Sequence, residues 1–65
     1  MVDISYRIFD LVVSTNSLTK TAEIVHLTPS AVRQSLRKLE KRLGMQLVIR
    51  GRDGVKVTER GKELL

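Results

Sequence analysis

Cysteine is absent from this chain of 65 residues, which also has no tryptophan, one proline, one tyrosine and one phenylalanine. Without cysteine the fold has no disulfide and no thiolate ligand, and the single histidine, His26, lacks partners for a zinc site. We therefore expect no metal or cofactor in this part of the protein. A chain of this length forms one small domain that can still fold independently.

Long apolar runs are also missing. No stretch approaches the roughly 20 residues that cross a bilayer, so we expect no membrane partner. The first five residues include Asp3 and lack a basic start followed by an apolar block, which argues against a secretory signal. A chain without cysteine is compatible with a reducing compartment, and we expect a cytoplasmic protein.

Charge is unevenly distributed along the chain. Residues 1–25 have a net charge of −1, whereas residues 26–65 combine ten Lys or Arg with four acids, a net charge of +6. A basic half after a nearly neutral one is typical of a protein that binds a polyanion such as nucleic acid. A solvated surface rich in Lys and Arg explains the same charge, so charge alone does not decide.

Two helices are predicted in the first half, over residues 3–14 and 18–25. Asn16 can close the first helix in a left-handed conformation, and Ser17 can cap the second. The apolar residues at helical spacing are Ile4, Ile8, Phe9, Leu11, Val12 and Val13 in the first helix and Leu18, Ala22, Ile24 and Val25 in the second. Each helix therefore has one face for a shared core.

A third helix is predicted over residues 29–43. Thr28 is a typical N-cap, Pro29 suits the first helical position, and Gly44 is a typical helix stop. Its inward stripe consists of Val32, Leu36, Leu39 and Leu43.

A short hairpin and the start of a fourth helix follow. Two β-branched segments, residues 46–50 and 55–58, flank a predicted four-residue loop, residues 51–54. Thr58 then caps a helix over residues 59–65. The predicted fold is mainly α, a winged helix-turn-helix with a three-helix core, a two-stranded wing over about residues 46–58 and the start of a C-terminal helix.

The outer face of the third helix carries the predicted chemistry. It has no acid, and its polar residues are Ser30, Arg33, Gln34, Arg37, Lys38 and Lys41. Arg pairs with guanine, Gln with adenine and Ser with several base edges, so these three residue types suit the major groove. Lys suits contacts with phosphate. We assign Ser30, Arg33, Gln34 and Arg37 to bases, and Lys38 and Lys41 to phosphates, because the N-terminal half of a recognition helix approaches the bases.

Further DNA contacts are expected at the start of that helix and on the wing. Thr28 lies beside free backbone N–H groups that favour a phosphate. Arg50 and Arg52 flank the hairpin loop, where arginine suits the sugar–phosphate backbone or the minor groove. Charge that keeps edge strands from aggregating is the alternative explanation for both arginines.

Other functions have less support in the sequence. Tyr6 and Phe9 are the only aromatics and fit a core or near-core role better than base stacking on a single strand. No combination of nucleophile, base and orienting residue is visible, so we do not expect an enzyme. A winged-helix protein-interaction module without specific DNA binding remains the alternative, although such a face normally carries apolar or aromatic anchors.

Many spaced positions together resemble the N-terminal domain of LysR-type transcriptional regulators. They are Phe9, Ser17 to Thr19, Ala22, Leu27 to Val32, Leu36 to Glu40, Leu43, Gly44, Leu47, Arg50, Val57, Thr58 and Gly61. The resemblance implies a bacterial transcription factor that binds promoter DNA in the cytoplasm, at the nucleoid. It also implies that residues 1–58 form the DNA-binding domain and residues 59–65 begin a linker helix, through which the full-length protein forms a dimer or tetramer. A small-molecule effector would bind a C-terminal domain outside this chain.

The chain departs from the LysR pattern at several positions. Arg33 replaces a common serine, so base preference cannot be carried over there, and Asn16 stands where glycine is usual. Val48 replaces phenylalanine, Thr21 replaces the first of two alanines, and Arg60 replaces the alanine before a glycine. The similar domain of molybdate-responsive regulators shares the layout of helices and wing. Because the sequence stops inside its last helix, we expect an excised domain that is monomeric or weakly dimeric.

Overall fold

The computed structural model describes residues 4–51 and 54–65, and it has the predicted order of elements. The elements are α1 (Ile4–Thr15), α2 (Leu18–Val25), α3 (Pro29–Leu43), β1 (Val48–Gly51), β2 (Gly54–Val57) and α4 (Glu59–Leu64). Helices α1, α2 and α3 pack against one another, and the two strands form one antiparallel hairpin. This arrangement confirms the predicted winged helix-turn-helix. No helix of the described part is long and apolar enough to span a membrane.

One hydrophobic core joins the three helices and the base of the hairpin. Its buried apolar members are Ile8, Phe9 and Val12 from α1, Ala22 from α2, Val32, Leu36 and Leu39 from α3, Val48 from β1 and Leu47 immediately before it. The inward stripe predicted for α3 is therefore confirmed, with Leu43 partly buried at its end. Because α1, α2, α3 and the base of the hairpin all contribute side chains to this core, it fixes the position of α3 relative to the wing.

The buried face of α1 is rotated relative to the prediction. Ser5 is buried, whereas Ile4 is 52% exposed and Tyr6 is 42% exposed. Residues 5, 8, 9 and 12 form the inward face, and Tyr6 lies about 110° away from its centre on the helix. The predicted near-core position of Tyr6 was therefore wrong, while that of Phe9 is confirmed.

The connection between α1 and α2 is held by hydroxyl groups. Asn16 is left-handed with φ 55°, and the Ser17 side chain accepts the Lys20 N–H at 3.1 Å, as their predicted roles require. Thr21 is fully buried, and its hydroxyl donates to the Ser17 carbonyl at 2.8 Å and lies 3.1 Å from the Thr15 hydroxyl. A buried hydroxyl needs such partners. Thr21 thus links α2 to the end of α1.

Both ends of α3 follow the sequence signals. The Thr28 hydroxyl oxygen accepts the Ala31 N–H at 3.1 Å, and Pro29 occupies the first helical position. Gly44 is left-handed with φ 69°, and its N–H bonds to carbonyls of the last turn. His26 ends α2 with φ 59°, which confirms its role as a turn residue.

The hairpin has a shorter connection than predicted. Val48 pairs with Val57, and the register continues until Gly51 pairs with Gly54, so only residues 52 and 53 join the strands. Both glycines therefore belong to strands. The predicted four-residue loop was therefore wrong. Gln46 and Leu47 precede β1, and Thr58 follows β2.

Thr58 and Gly61 attach α4 to the base of the hairpin. The Thr58 hydroxyl accepts the Gly61 N–H at 3.0 Å and donates to the Gln46 carbonyl at 2.6 Å, while the Thr58 N–H donates to the Leu47 carbonyl at 2.9 Å. Gly61 is buried, and a Cβ at this position would lie 2.5 Å from the Leu47 carbonyl oxygen. The first turn of α4 therefore packs directly on the hairpin backbone.

Candidate nucleic-acid interface

The outer face of α3 presents most of the predicted contact residues to solvent. The exposed ones are Ser30, Gln34, Arg37, Lys38 and Lys41. They lie on one side of the helix because Val32, Leu36 and Leu39 hold the opposite side in the core. The resulting surface combines a hydroxyl, an amide and three cations, which supply donors for base edges and charge for phosphates.

Thr28 begins this surface at the N-terminus of α3. Its side chain is exposed, and its oxygen already accepts the Ala31 N–H, so the hydroxyl hydrogen is what it can offer to an acceptor outside the protein. The positive end of the helix dipole lies at the same place. The position suits an anionic group such as a phosphate.

Arg33 differs from the other predicted contact residues that the structure describes, because it is half-buried and they are exposed. Its Nε atom is out of contact with solvent and has no hydrogen-bond partner. Its aliphatic stem is therefore held by packing, and the end of the guanidinium is the part that can act as a donor. The sequence prediction treated Arg33 and Arg37 alike, because a helical wheel places both on the polar side.

A groove of about 270 Å³ lies between α3 and the wing. Its lining residues are Leu18, Arg33, Leu36, Arg37, Glu40, Gln46, Val48 and Arg50. The floor is apolar, and three arginines from two different elements line the same groove. The structure thus brings Arg50 of the wing to the same groove as Arg33 and Arg37 of the predicted recognition helix.

Glu40 is the acid in this groove, and its carboxylate is engaged by the backbone. One oxygen accepts the Leu47 N–H at 2.7 Å and the Val48 N–H at 3.4 Å. These amides stand at the start of β1, where a two-stranded hairpin leaves backbone donors without a strand partner. Glu40 therefore connects the C-terminal half of α3 to the wing. The sequence prediction placed it at the edge of the core and missed this role.

The wing presents its cations on both faces. Arg50 and Val48 are two residues apart on β1 and share the face that lines the groove, whereas Lys56 pairs with Ile49 on the other face. Arg50 and Lys56 are both exposed. Arg52, the other predicted wing residue, lies outside the described residues.

The family comparison identifies a known domain over most of the chain. The model described as "Bacterial regulatory helix-turn-helix protein, lysR family" matches residues 5–62. Similar curated proteins include the RuBisCO operon transcriptional regulator of Allochromatium vinosum and the nitrogen assimilation regulatory protein nac of Klebsiella aerogenes. Each is 40% identical over 58 residues, which cover 89% of this chain and 19% of the relative. The chain spans about a fifth of the length of these relatives.

Solved structures share the fold over the whole chain. The BenM_DBD/catB site 1 DNA complex contains a chain that is 33% identical, with a TM-score of 0.89 and coverage of 98% of this chain and 72% of that one. The CbnR_DBD-DNA complex contains a chain that is 23% identical, with a TM-score of 0.91 and coverage of 100% and 75%. At the lower identity the likeness concerns the fold alone.

Proposed function

The chain belongs to the LysR family of bacterial regulatory helix-turn-helix proteins, and on that basis we propose that it binds promoter DNA as the DNA-binding domain of a transcriptional regulator. The observation that carries the proposal is the exposed polar face of α3, which has three cations and no acid. The 33% identical BenM domain is in complex with DNA, which supports a double-stranded DNA partner for this chain.

We assign base reading to the exposed N-terminal half of α3. Ser30, Gln34 and Arg37 have donors or acceptors for major-groove edges, and an Arg–guanine or Gln–adenine pair discriminates by about 1–3 kcal/mol. Arg33 lines the groove beside the wing, with its stem held by packing. We expect its guanidinium donors to be more restricted in position than those of the exposed Arg37.

Phosphate contacts surround this base-reading surface. Lys38 and Lys41 follow on the exposed face, and Thr28 precedes it at the helix N-terminus. Arg50 on β1, with Arg52 next to the described part of the wing, supplies cations for the backbone or the minor groove. Contacts on both sides of α3 would fix the helix in the groove, since phosphate contacts set register while base contacts set sequence preference.

The activity of the full-length protein is part of the same proposal. Residues 59–65 begin a linker helix that pairs subunits into a dimer or tetramer, and an effector domain follows it. The regulator acts on the chromosome in the cytoplasm. The proposed DNA contacts need no cofactor, and the described residues contain no group of three or more His, Asp or Glu placed to hold a metal. We expect EDTA to leave duplex affinity unchanged.

Selection from a randomised duplex library at low salt tests the proposal. Enrichment of a short half-site would establish sequence-specific recognition, and log affinity should fall linearly with log salt in proportion to the phosphates contacted. Binding without enrichment would indicate a nonspecific basic domain. Absence of binding even at low salt would contradict the proposal and favour a protein-interaction module.

A pair of charge-matched variants shows where DNA binds. Arg37→Ala removes a cation from the exposed face of α3, whereas Arg7→Ala removes an exposed cation from α1. Both lower the net charge equally, so a general charge effect would weaken both alike. We expect Arg37→Ala to weaken binding about fivefold or more on the selected duplex and Arg7→Ala to change it less than about twofold.

A further inference from the structure

We infer that Asn16 is a positioning residue for DNA binding, because its carboxamide holds the wing against the turn between α1 and α2. In this way it sets the position of Arg50 relative to α3. The inference rests on the proposed function. It assigns a DNA-binding role to a residue that lies outside the polar face of α3 and need not touch DNA.

The contact joins two parts of the chain that are far apart in sequence. The Asn16 Oδ1 atom accepts the Val55 N–H at 3.0 Å, across a separation of 39 residues. Asn16 has its left-handed φ of 55° at this point, so the same residue both closes α1 and extends its side chain to β2. A residue needed only to close a helix would not require that acceptor.

Gly54 allows the strand to approach the turn. A Cβ at Gly54 would lie 2.9 Å from Nδ2 and 3.0 Å from the backbone oxygen of Asn16, and Gly54 has a φ of 114°. A side chain at this position would therefore collide with the turn. The close approach of β2 to Asn16 therefore depends both on the Asn16 side chain and on the absence of a side chain at Gly54.

The hydrogen bond acts on the pair of wing residues that includes Arg50. Val55 lies directly opposite Arg50 in the hairpin register, and its N–H bonds to Asn16. Opposite residues in an antiparallel pair alternate between hydrogen-bonded and non-hydrogen-bonded pairs. Because the Val55 N–H bonds to Asn16 and not to β1, it faces the outer edge of β2. Holding that edge fixes the strand pair that carries the Arg50 side chain.

The hairpin needs such support because it is short. Each strand has four residues, and an isolated two-stranded hairpin is at best marginally stable in water. Glu40 and Thr58 hold only its base, through the amides and carbonyls next to β1. Asn16 holds the outer edge, closer to the tip. Without it, the outer edge of β2 would be held only by the packing of Val55 and Val57 against the core, and ordering that edge on binding would weaken affinity.

Two substitutions at this position separate the hydrogen bond from the turn. Asn16→Gly keeps the left-handed backbone, which glycine adopts without strain, and removes the acceptor. Asn16→Asp keeps both an acceptor and the tolerance for this conformation. Amide hydrogen exchange at Val55 should be much faster in Asn16→Gly and close to native in Asn16→Asp. Native-like protection of Val55 in Asn16→Gly would overturn the inference.

A double-mutant cycle on the selected duplex tests the role in DNA binding. Asn16→Gly should weaken affinity by about three- to tenfold, the equivalent of one net hydrogen bond. If Asn16 acts by positioning Arg50, the double variant Asn16→Gly/Arg50→Ala should bind no more weakly than Arg50→Ala alone. Far-UV circular dichroism on each variant verifies that the helices remain folded.

The possible results distinguish this inference from the proposed function. Native affinity in Asn16→Gly, or losses for Asn16→Gly and Arg50→Ala that simply multiply, would overturn the positioning role while leaving DNA binding in place. Absence of duplex binding by the native chain would overturn the proposed function and the inference together. Faster exchange at Val55 combined with a non-additive cycle would support the inference.

Discussion

Removing the Glu40 carboxylate should destabilise the domain, because two backbone amides depend on it. In Glu40→Ala the Leu47 N–H loses an acceptor at 2.7 Å, and the Val48 N–H loses one at 3.4 Å. A hydrogen bond to a charged group contributes about 1.5–3 kcal/mol. The shorter bond accounts for most of this, since a contact of 3.4 Å is near the limit of a useful hydrogen bond.

An opposing term reduces the expected loss. Glu40 lies four residues before Gly44, near the negative end of the α3 dipole, where an anion is disfavoured by about 0.3–1 kcal/mol. We therefore expect Glu40→Ala to lower the free energy of unfolding by about 0.5–2.7 kcal/mol. For a domain of this size that corresponds to a fall in Tm of about 2–22 °C. The upper part of this range is a large share of a total stability of about 3–10 kcal/mol.

Urea and thermal unfolding followed by circular dichroism measure this effect. Glu23→Ala is the matched control, because it removes an exposed carboxylate from α2. Glu40→Gln keeps one acceptor oxygen without the charge, and we expect it to recover about half of the loss. A stability of Glu40→Ala within about 0.5 kcal/mol of the control would refute the reasoning. Equal losses for Glu40→Ala and Glu40→Gln would show that the charge alone matters.

Four further substitutions probe the fold and the interface. Arg37→Ala should reduce the binding free energy on the selected duplex by about 1–3 kcal/mol and relax the sequence preference at one base pair, and an equal loss of affinity on all sequences would instead indicate a phosphate contact. Arg33→Ala should have the same effect on binding and should also lower Tm, because the stem of Arg33 is packed. Gly61→Ala should destabilise by about 1–3 kcal/mol in urea unfolding, because its Cβ would lie 2.5 Å from the Leu47 carbonyl oxygen. Thr21→Val removes a fully buried hydroxyl while keeping its volume, and a loss of about 1–2 kcal/mol is expected by thermal unfolding. Native Tm in either of these last two variants would contradict the packing or hydrogen bonding described.

Sequence signals predicted the elements of this fold where the signals are local. The N-cap at Thr28, Pro29 and Gly44 together determine both ends of α3, and the structure places the helix between them. Ser17, His26 and their neighbours do the same for α2. Capping and left-handed conformations depend on a few adjacent residues, so they can be read without knowledge of the rest of the chain.

Features that depend on distant parts of the chain escaped prediction. The hydrogen bonds of Glu40 to β1 and of Asn16 to β2 join segments that the helical period does not relate. The partial burial of Arg33 depends on the groove between α3 and the wing, which a helical wheel cannot represent. The same limit applies to Tyr6, because which face of α1 is buried depends on how α2 and α3 pack against it.

The junction of Thr58 and Gly61 with the hairpin determines how the domain transmits motion. The Thr58 hydroxyl forms hydrogen bonds both to the Gln46 carbonyl before β1 and to the first turn of α4. At Gly61 there is no space for a side chain between that turn and Leu47. The direction of α4 and the position of the hairpin base are therefore mechanically coupled, with no flexible joint between them. A rotation imposed on the far end of α4 would reach the wing as a displacement of its base.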